Sequence, residues 1–333
     1  MKHELLRFGL IGAGAIAQSY VAVFHKLRHA RVVGVADPQP DRAETVAEAL
    51  DCRAFGSHDE LTSQVDCDAA VICTPPATHA EVGLDLVERG IPVLCEKPLT
   101  LDLPSARKLV NAADNAGVPL TMAAKFRYVD DAVTAKSIVD SGDLGEVVLF
   151  DNIFASHTPM TGRWNADPTV SGGGVLMDHG THSVDIARYF LGSITDVMAV
   201  APRRVQKVSV EDTAQMFIRS VDGVCGTIDL SWSIDMQADR YISIYGSEGT
   251  INVGWHESKW RPASGDWIKF GNGYDKIQAM SAQVANFCGA VQGREELLIT
   301  ADEAVASVAV IEAAYASLDR NAWVPVNGAT SSA

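Results

Sequence analysis

The segment RFGLIGAGAIA, Arg7–Ala17, joins a short apolar run to a glycine turn and then to a helix-forming stretch. In a G-x-G-x-x-A turn of this kind, Gly12 permits a sharp reversal after a strand. Gly14 lets backbone approach a ligand closely, and Ala17 allows the helix to sit against the strand. Ala15 and Ile16 open that helix, whose first N–H groups and positive dipole end suit phosphate oxygens. Glycine turns also occur without any ligand, so the context decides. The next strand-like run, ARVVGVAD, ends at Asp37, about 20 residues further on, where a dinucleotide fingerprint places a carboxylate for the ribose. Strand, turn, helix and carboxylate together predict a dinucleotide site built from Gly12, Gly14, Ala15, Ile16 and Asp37. A carboxylate accepts both ribose hydroxyls but repels a 2′-phosphate. No arginine directly follows Asp37, Arg42 being the nearest following cation. NAD is therefore expected over NADP.

Outward from this turn, apolar runs alternate with helical patterns: CDAAVICT precedes HAEVGLDLVERG, and PVLCEKP precedes LPSARKLVNAADNAG. Near-continuous apolar strands between helices predict a parallel sheet covered on both faces, hence a doubly wound α/β domain over residues 1–123. Past Thr121 the pattern changes. The runs TDVMAVAP, TAQMFIRSV, GVCGTIDLSW, RYISIYG and GTINVGW follow one another with turn signals between two pairs of them. Ala214, Met216 and Ile218 alternate with Gln215, Phe217 and Arg219, as in a half-buried strand. This predicts a second, α+β domain over 124–333 with an antiparallel sheet, two closing helical segments and the polar tail NGATSSA.

Composition narrows the partners. A formal net charge of −15 over 333 residues, without long acidic runs, disfavours nucleic acid and anionic membrane and points to a small molecule. No apolar run approaches ~18 residues, so no membrane span is expected, and the N-terminus does not read as a secretory signal. Six cysteines lie scattered without a C-x-x-C pair, which suits free thiols in a reducing, cytoplasmic setting.

Two further stretches carry chemistry. In VLCEKPL, Glu96, Lys97 and Pro98 fall where a strand leaves the carboxyl edge of the parallel sheet. Lys97 could stabilise an alkoxide there, or simply lie along the surface. In MDHGTHSVDIARYF, Met177–Phe190, helical spacing puts Asp178, His182, Asp185 and Tyr189 on one stripe, with Ser183, Val184, Ala187, Phe190 and Leu191 roughly opposite. His179 falls off that stripe. A metal site would need a third convergent ligand, which the spacing does not supply, so none is assigned. The pair Asp178 and His182 could instead move a proton, or form a solvated stripe with Asp178 capping the helix. His157, Arg163 and Trp164 could border a sugar pocket or be ordinary surface loop.

The ordered set of G-x-G-x-x-A at Gly12–Ala17, TPPATHAE at Thr74–Glu81, EKPL at Glu96–Leu99, SGGGVLMDHGTHSVDIARYFLG at Ser171–Gly192, YGSEGT at Tyr245–Thr250 and EAAYASL at Glu312–Leu318 resembles the glucose–fructose oxidoreductase/inositol dehydrogenase/MocA family across nearly the whole chain. That resemblance implies a Rossmann domain followed by a domain with a large open sheet. It also implies NAD(P)-linked oxidation or reduction of a secondary hydroxyl on a sugar, sugar derivative or cyclitol, and a homodimer or homotetramer. By motif, Lys97, Asp178 and His182 match the catalytic set. Thr74, Pro75, Pro76, His79 and Glu96 match the segments bordering the cofactor. Arg127 matches an arginine at the domain junction that would touch cofactor or substrate, although its lead-in Ala123–Ala124–Lys125 departs from the family's small-residue-plus-aromatic pattern. Lys97, Arg127, His157, Trp164, Asp178 and His182 are the expected substrate contacts. A non-catalytic cofactor-binding sensor on the same fold is the alternative, against which the complete Lys97, Asp178 and His182 set argues.

Overall fold

A computed structural model describes residues 5–328; residues 1–4 and the last five of the polar tail, 329–333, lie outside the described residues. The chain divides into two compact units, one of 1–125 with 276–305 and the other of 126–275 with 306–333.

The first unit is built on six parallel strands: β1 (Leu6–Ile11), β2 (Ala30–Ala36), β3 (Arg53–Phe55), β4 (Ala69–Ile72), β5 (Val93–Glu96) and β6 (Leu120–Ala123). Their order is β3-β2-β1-β4-β5-β6, so the winding reverses between β1 and β4, and the loops leaving those strands diverge there. Because the strands are parallel, the glycine turn after β1, the Thr74 loop after β4 and Lys97 after β5 all leave the same edge. Phe8, Leu10, Val71 and Leu94 are fully buried, as runs covered on both faces must be. Helix Leu103–Ala116 shows how local chemistry bounds these elements. Asp102 accepts the Ser105 amide at 2.8 Å at its start, and Gly117 ends it at φ 66°.

One segment departs from the sequence expectation. Helix Lys276–Val291, assigned above to the second domain, completes the first unit's core, where Met280, Val284, Phe287 and Cys288 join Phe8, Tyr20, Val23 and Phe24. The Phe8 and Phe287 rings lie 6.2 Å apart. An amphipathic pattern shows that a helix has an apolar face but not which surface that face will meet.

The second unit carries β7 (Val147–Ala155), β8 (Ile194–Val200), β9 (Thr213–Ser220), β10 (Cys225–Ser231), β11 (Arg240–Gly246), β12 (Gly249–Gly254), β13 (Ser258–Pro262), β14 (Ile268–Gly271) and β15 (Val324–Pro325) in one nine-stranded sheet, ordered β14-β13-β12-β11-β7-β10-β9-β8-β15. All neighbours are antiparallel except β7 and β10. The alternation expected in β9 holds, with Ala214, Met216 and Ile218 all buried. Helix Val175–Leu191 packs on β7, β9 and β10, while Leu149 and Phe217 remain exposed. Among the described residues no helix is long and apolar enough to cross a membrane.

Candidate active site

At the glycine turn, Gly12 has φ +97°, and a Cβ there would lie 2.7–2.8 Å from the Cys73 carbonyl and the Thr74 amide nitrogen. Only glycine fits. At Gly14 the opposite holds: a Cβ would meet nothing within 4 Å, and helix Ala15–Lys26 starts there without a side-chain cap. Open space over uncapped amides suits a pyrophosphate. Asp37 is largely buried, its Oδ2 accepting the Ala13 amide at 2.8 Å and its Oδ1 the Gln39 amide at 2.9 Å. These bonds hold the carboxylate against the turn. The chain's own residues thus fit the dinucleotide that the motif predicts.

Thr74 and Pro75 are half-buried beside this turn, and Thr78 donates to Thr74 Oγ1 at 2.8 Å. His79 was expected beside the cofactor, but it is fully buried, with ring nitrogens 2.8 Å from the Thr74 and Pro98 carbonyl oxygens. Burial pushes its pKa down, against the pull of those two carbonyls. It ties the loop after β4 to the loop after β5 from behind. Glu96 accepts a 2.9 Å bond from the buried Tyr20 hydroxyl and so fixes β5 to helix Ala15–Lys26. Lys97 is half-buried, and its peptide bond to Pro98 is cis.

In the second unit, Ser171–Gly174 leads into helix Val175–Leu191. Most of the helix is enclosed, including two of the four residues of the stripe that could have been solvated: His182 is 7% exposed and Asp185 1%. Asp178 stays half-open in the first turn. It is not the cap, since Gly174 occupies that position. His179, set aside on helical geometry, has Nε2 3.8 Å from Asp178 Oδ2. Asp185 pairs with Arg127, whose Nε donates to Oδ2 at 2.9 Å while Nη2 lies 2.9 Å from Oδ1 as an ion-pair contact. Arg127 is 2% exposed and lies over the Tyr189 ring. Arg127, expected to contact cofactor or substrate, thus forms a buried ion pair with Asp185. Its neighbour Phe126 meets the His182 ring edge-on at 5.1 Å and stacks on Tyr274 at 5.1 Å. Phe154, Tyr241 and Trp255 extend this aromatic wall. His157 and Trp164 are exposed on the loop after β7, outside the aromatic wall's ring contacts.

The family model of oxidoreductases with an NAD-binding Rossmann fold (GFO/IDH/MocA) matches residues 6–124, and that of the GFO/IDH/MocA C-terminal domain matches 132–252. The chain belongs to the Gfo/Idh/MocA family. This Gfo/Idh/MocA member is 28% identical to the inositol 2-dehydrogenase of Rhizobium meliloti (strain 1021), over 94% of the chain and 97% of that relative. It is also 28% identical to the trans-1,2-dihydrobenzene-1,2-diol dehydrogenase of Mus musculus, over 77% and 76% respectively. Levoglucosan dehydrogenase in complex with NADH and levoglucosan shares the fold with a TM-score of 0.89 at 20% identity, covering 97% of this chain and 99% of that one. GenD2 from gentamicin A biosynthesis in complex with NAD has a TM-score of 0.86 at 26% identity, covering 98% and 97%. This member is an NAD(P)-dependent dehydrogenase acting on CH–OH groups.

Sequence reasoning missed the aromatic wall and the groups at the helix start. Gly174 and Leu176 donate their amides to Glu211 Oε1, both at 3.0 Å, and Tyr315 donates to the same oxygen at 2.9 Å. The signal was the triple glycine. A Cβ at Gly173 would land on the Tyr315 hydroxyl, and one at Gly174 on the Glu211 carbonyl oxygen.

Proposed function

We propose that this dehydrogenase uses NAD to oxidise a secondary hydroxyl of a sugar, sugar derivative or cyclitol, with His182 as acid/base, Lys97 holding the reacting oxygen and Asp178 orienting the histidine. The observation that carries this reading is the near-complete enclosure of His182 one helical turn from the half-open Asp178. Bound NAD supplies a hydride acceptor for the carbinol carbon. His182 takes the hydroxyl proton and returns it in the reverse direction, as a placed imidazole can. The Lys97 ammonium favours the alkoxide that develops as the proton leaves. Asp37 supports NAD over NADP, because a 2′-phosphate would meet its carboxylate.

Relatives named for inositol and levoglucosan support the substrate class. Trp164, 46% exposed, and His157 supply a ring face and a polar group on the loop after β7 suited to a polyol. The sheet face bearing Leu149 and Phe217 suits burial against a second copy, giving a homodimer or homotetramer. Six free cysteines suit a reducing cytoplasm.

His182→Ala tests the reading. Turnover should fall about 10²–10⁴-fold, the usual contribution of a placed acid/base, while NAD binding by titration stays intact. Unchanged turnover would overturn it.

A further inference from the structure

The triple glycine and its occupant are not used by the chemistry proposed above. A helix start leaves its first N–H groups without partners, and side chains of the first turn compete to fill them. Helix Val175–Leu191 has no cap of its own. Three consecutive amides are taken by one distant residue instead: Gly174 and Leu176 bond Glu211 Oε1 at 3.0 Å, and Val175 bonds the Glu211 carbonyl at 2.9 Å. Tyr315 clamps the arrangement, donating to Glu211 Oε1 at 2.9 Å and accepting from Gly174 at 3.2 Å. Burial raises the Glu211 pKa, while these donors favour its charged form.

The neighbouring Asp212 anchors the same stretch. Its Oδ2 accepts the Val205 and Gln206 amides at 2.8 and 2.7 Å and the Ser233 hydroxyl at 2.7 Å. Glu211 therefore approaches the helix from a fixed base, which a floppy surface carboxylate could not do.

Asp178 makes this arrangement matter. Helical side chains lean toward the N-terminus, so its carboxylate overhangs the first turn. An uncapped helix start would attract it, since a carboxylate in the first turn stabilises both the free amides and the dipole. We infer that Glu211, held by Tyr315, is a positioning residue that saturates the helix start and so leaves Asp178 available to His182. This rests on the assignment of Asp178 and His182 made above.

The test is a kinetic cycle on the full-length enzyme with NAD and a turned-over polyol. Glu211→Ala should lower kcat on the order of 10–100-fold, the scale of a small misplacement of catalytic groups, with KM for NAD unchanged to about twofold. Glu211→Gln keeps an acceptor for both amides and for Tyr315, and should restore kcat. The deciding measurement is coupling: Glu211→Ala added to Asp178→Asn should cost nothing further, because both act through one group. Additive losses, or no rescue by glutamine, would overturn the inference and leave Glu211 a plain helix cap. Should Glu211→Ala fail to fold, Gly174→Ala displaces the same carboxylate and replaces it in the cycle, with the same outcomes decisive. If His182→Ala keeps full turnover, the site assignment itself fails. If that variant is dead while Glu211→Ala is normal, only the positioning role falls.

Discussion

Asp185→Ala leaves Arg127 charged in a site where it is 2% exposed. One charge-assisted hydrogen bond and one further ion-pair contact, both 2.9 Å, are lost. The charge-assisted hydrogen bond alone contributes about 1.5–3 kcal/mol. Stranding the buried guanidinium raises the cost to the roughly 3–5 kcal/mol of breaking a buried pair from one side. The double variant Arg127→Met, Asp185→Leu removes the stranded charge and should be far closer to wild type than either single change. All six tryptophans lie in the second unit, so urea unfolding followed by tryptophan fluorescence reports on that unit alone. A loss below about 1 kcal/mol for Asp185→Ala would refute the argument. So would a double variant as unstable as the single one. Because Phe126 adjoins Arg127 and packs edge-on to His182, Asp185→Ala should also lower turnover in the fraction that remains folded.

Two other expectations follow. Gly12→Ala forces a methyl into the Cys73 and Thr74 backbone at a φ that disfavours side chains, so NAD titration should show binding lost or weakened more than about tenfold. Arg7 binds Asp68 and holds its carboxyl below the usual range. A depressed folded pKa contributes stability above the unfolded value of about 4 that is lost as pH falls through the folded one. Asp68→Asn should therefore flatten the acid limb of stability against pH. The effect should be modest because the pair is partly exposed, and an unchanged limb would count against it.

The cofactor turn was legible in the sequence because each requirement is local: a glycine at positive φ, open space at Gly14, and a carboxylate at the next strand end. The alternation in β9 was legible for the same reason. The parallel pairing of β7 with β10 was not, since periodicity fixes which face a residue takes but not which strand lies alongside. Arg127 shows the limit for single residues. A lone arginine gives no sign in the sequence of the carboxylate that pairs with it, Asp185, 58 positions away. Likewise Asp178 read as a possible cap because nothing in its own neighbourhood announced Glu211.

Helix Lys276–Val291 has a consequence for how the protein is made. The strands of the nucleotide-binding sheet are all synthesised by Ala123, yet Phe8 and Phe24 wait for Met280, Val284 and Phe287 to cover them. At 5–20 residues per second the ribosome takes roughly ten to thirty seconds to deliver that helix. During that interval a nearly finished sheet exposes aromatic side chains, which makes the nascent form prone to aggregation. Truncation after the sixth strand should yield an aggregation-prone fragment in place of a free-standing nucleotide-binding module.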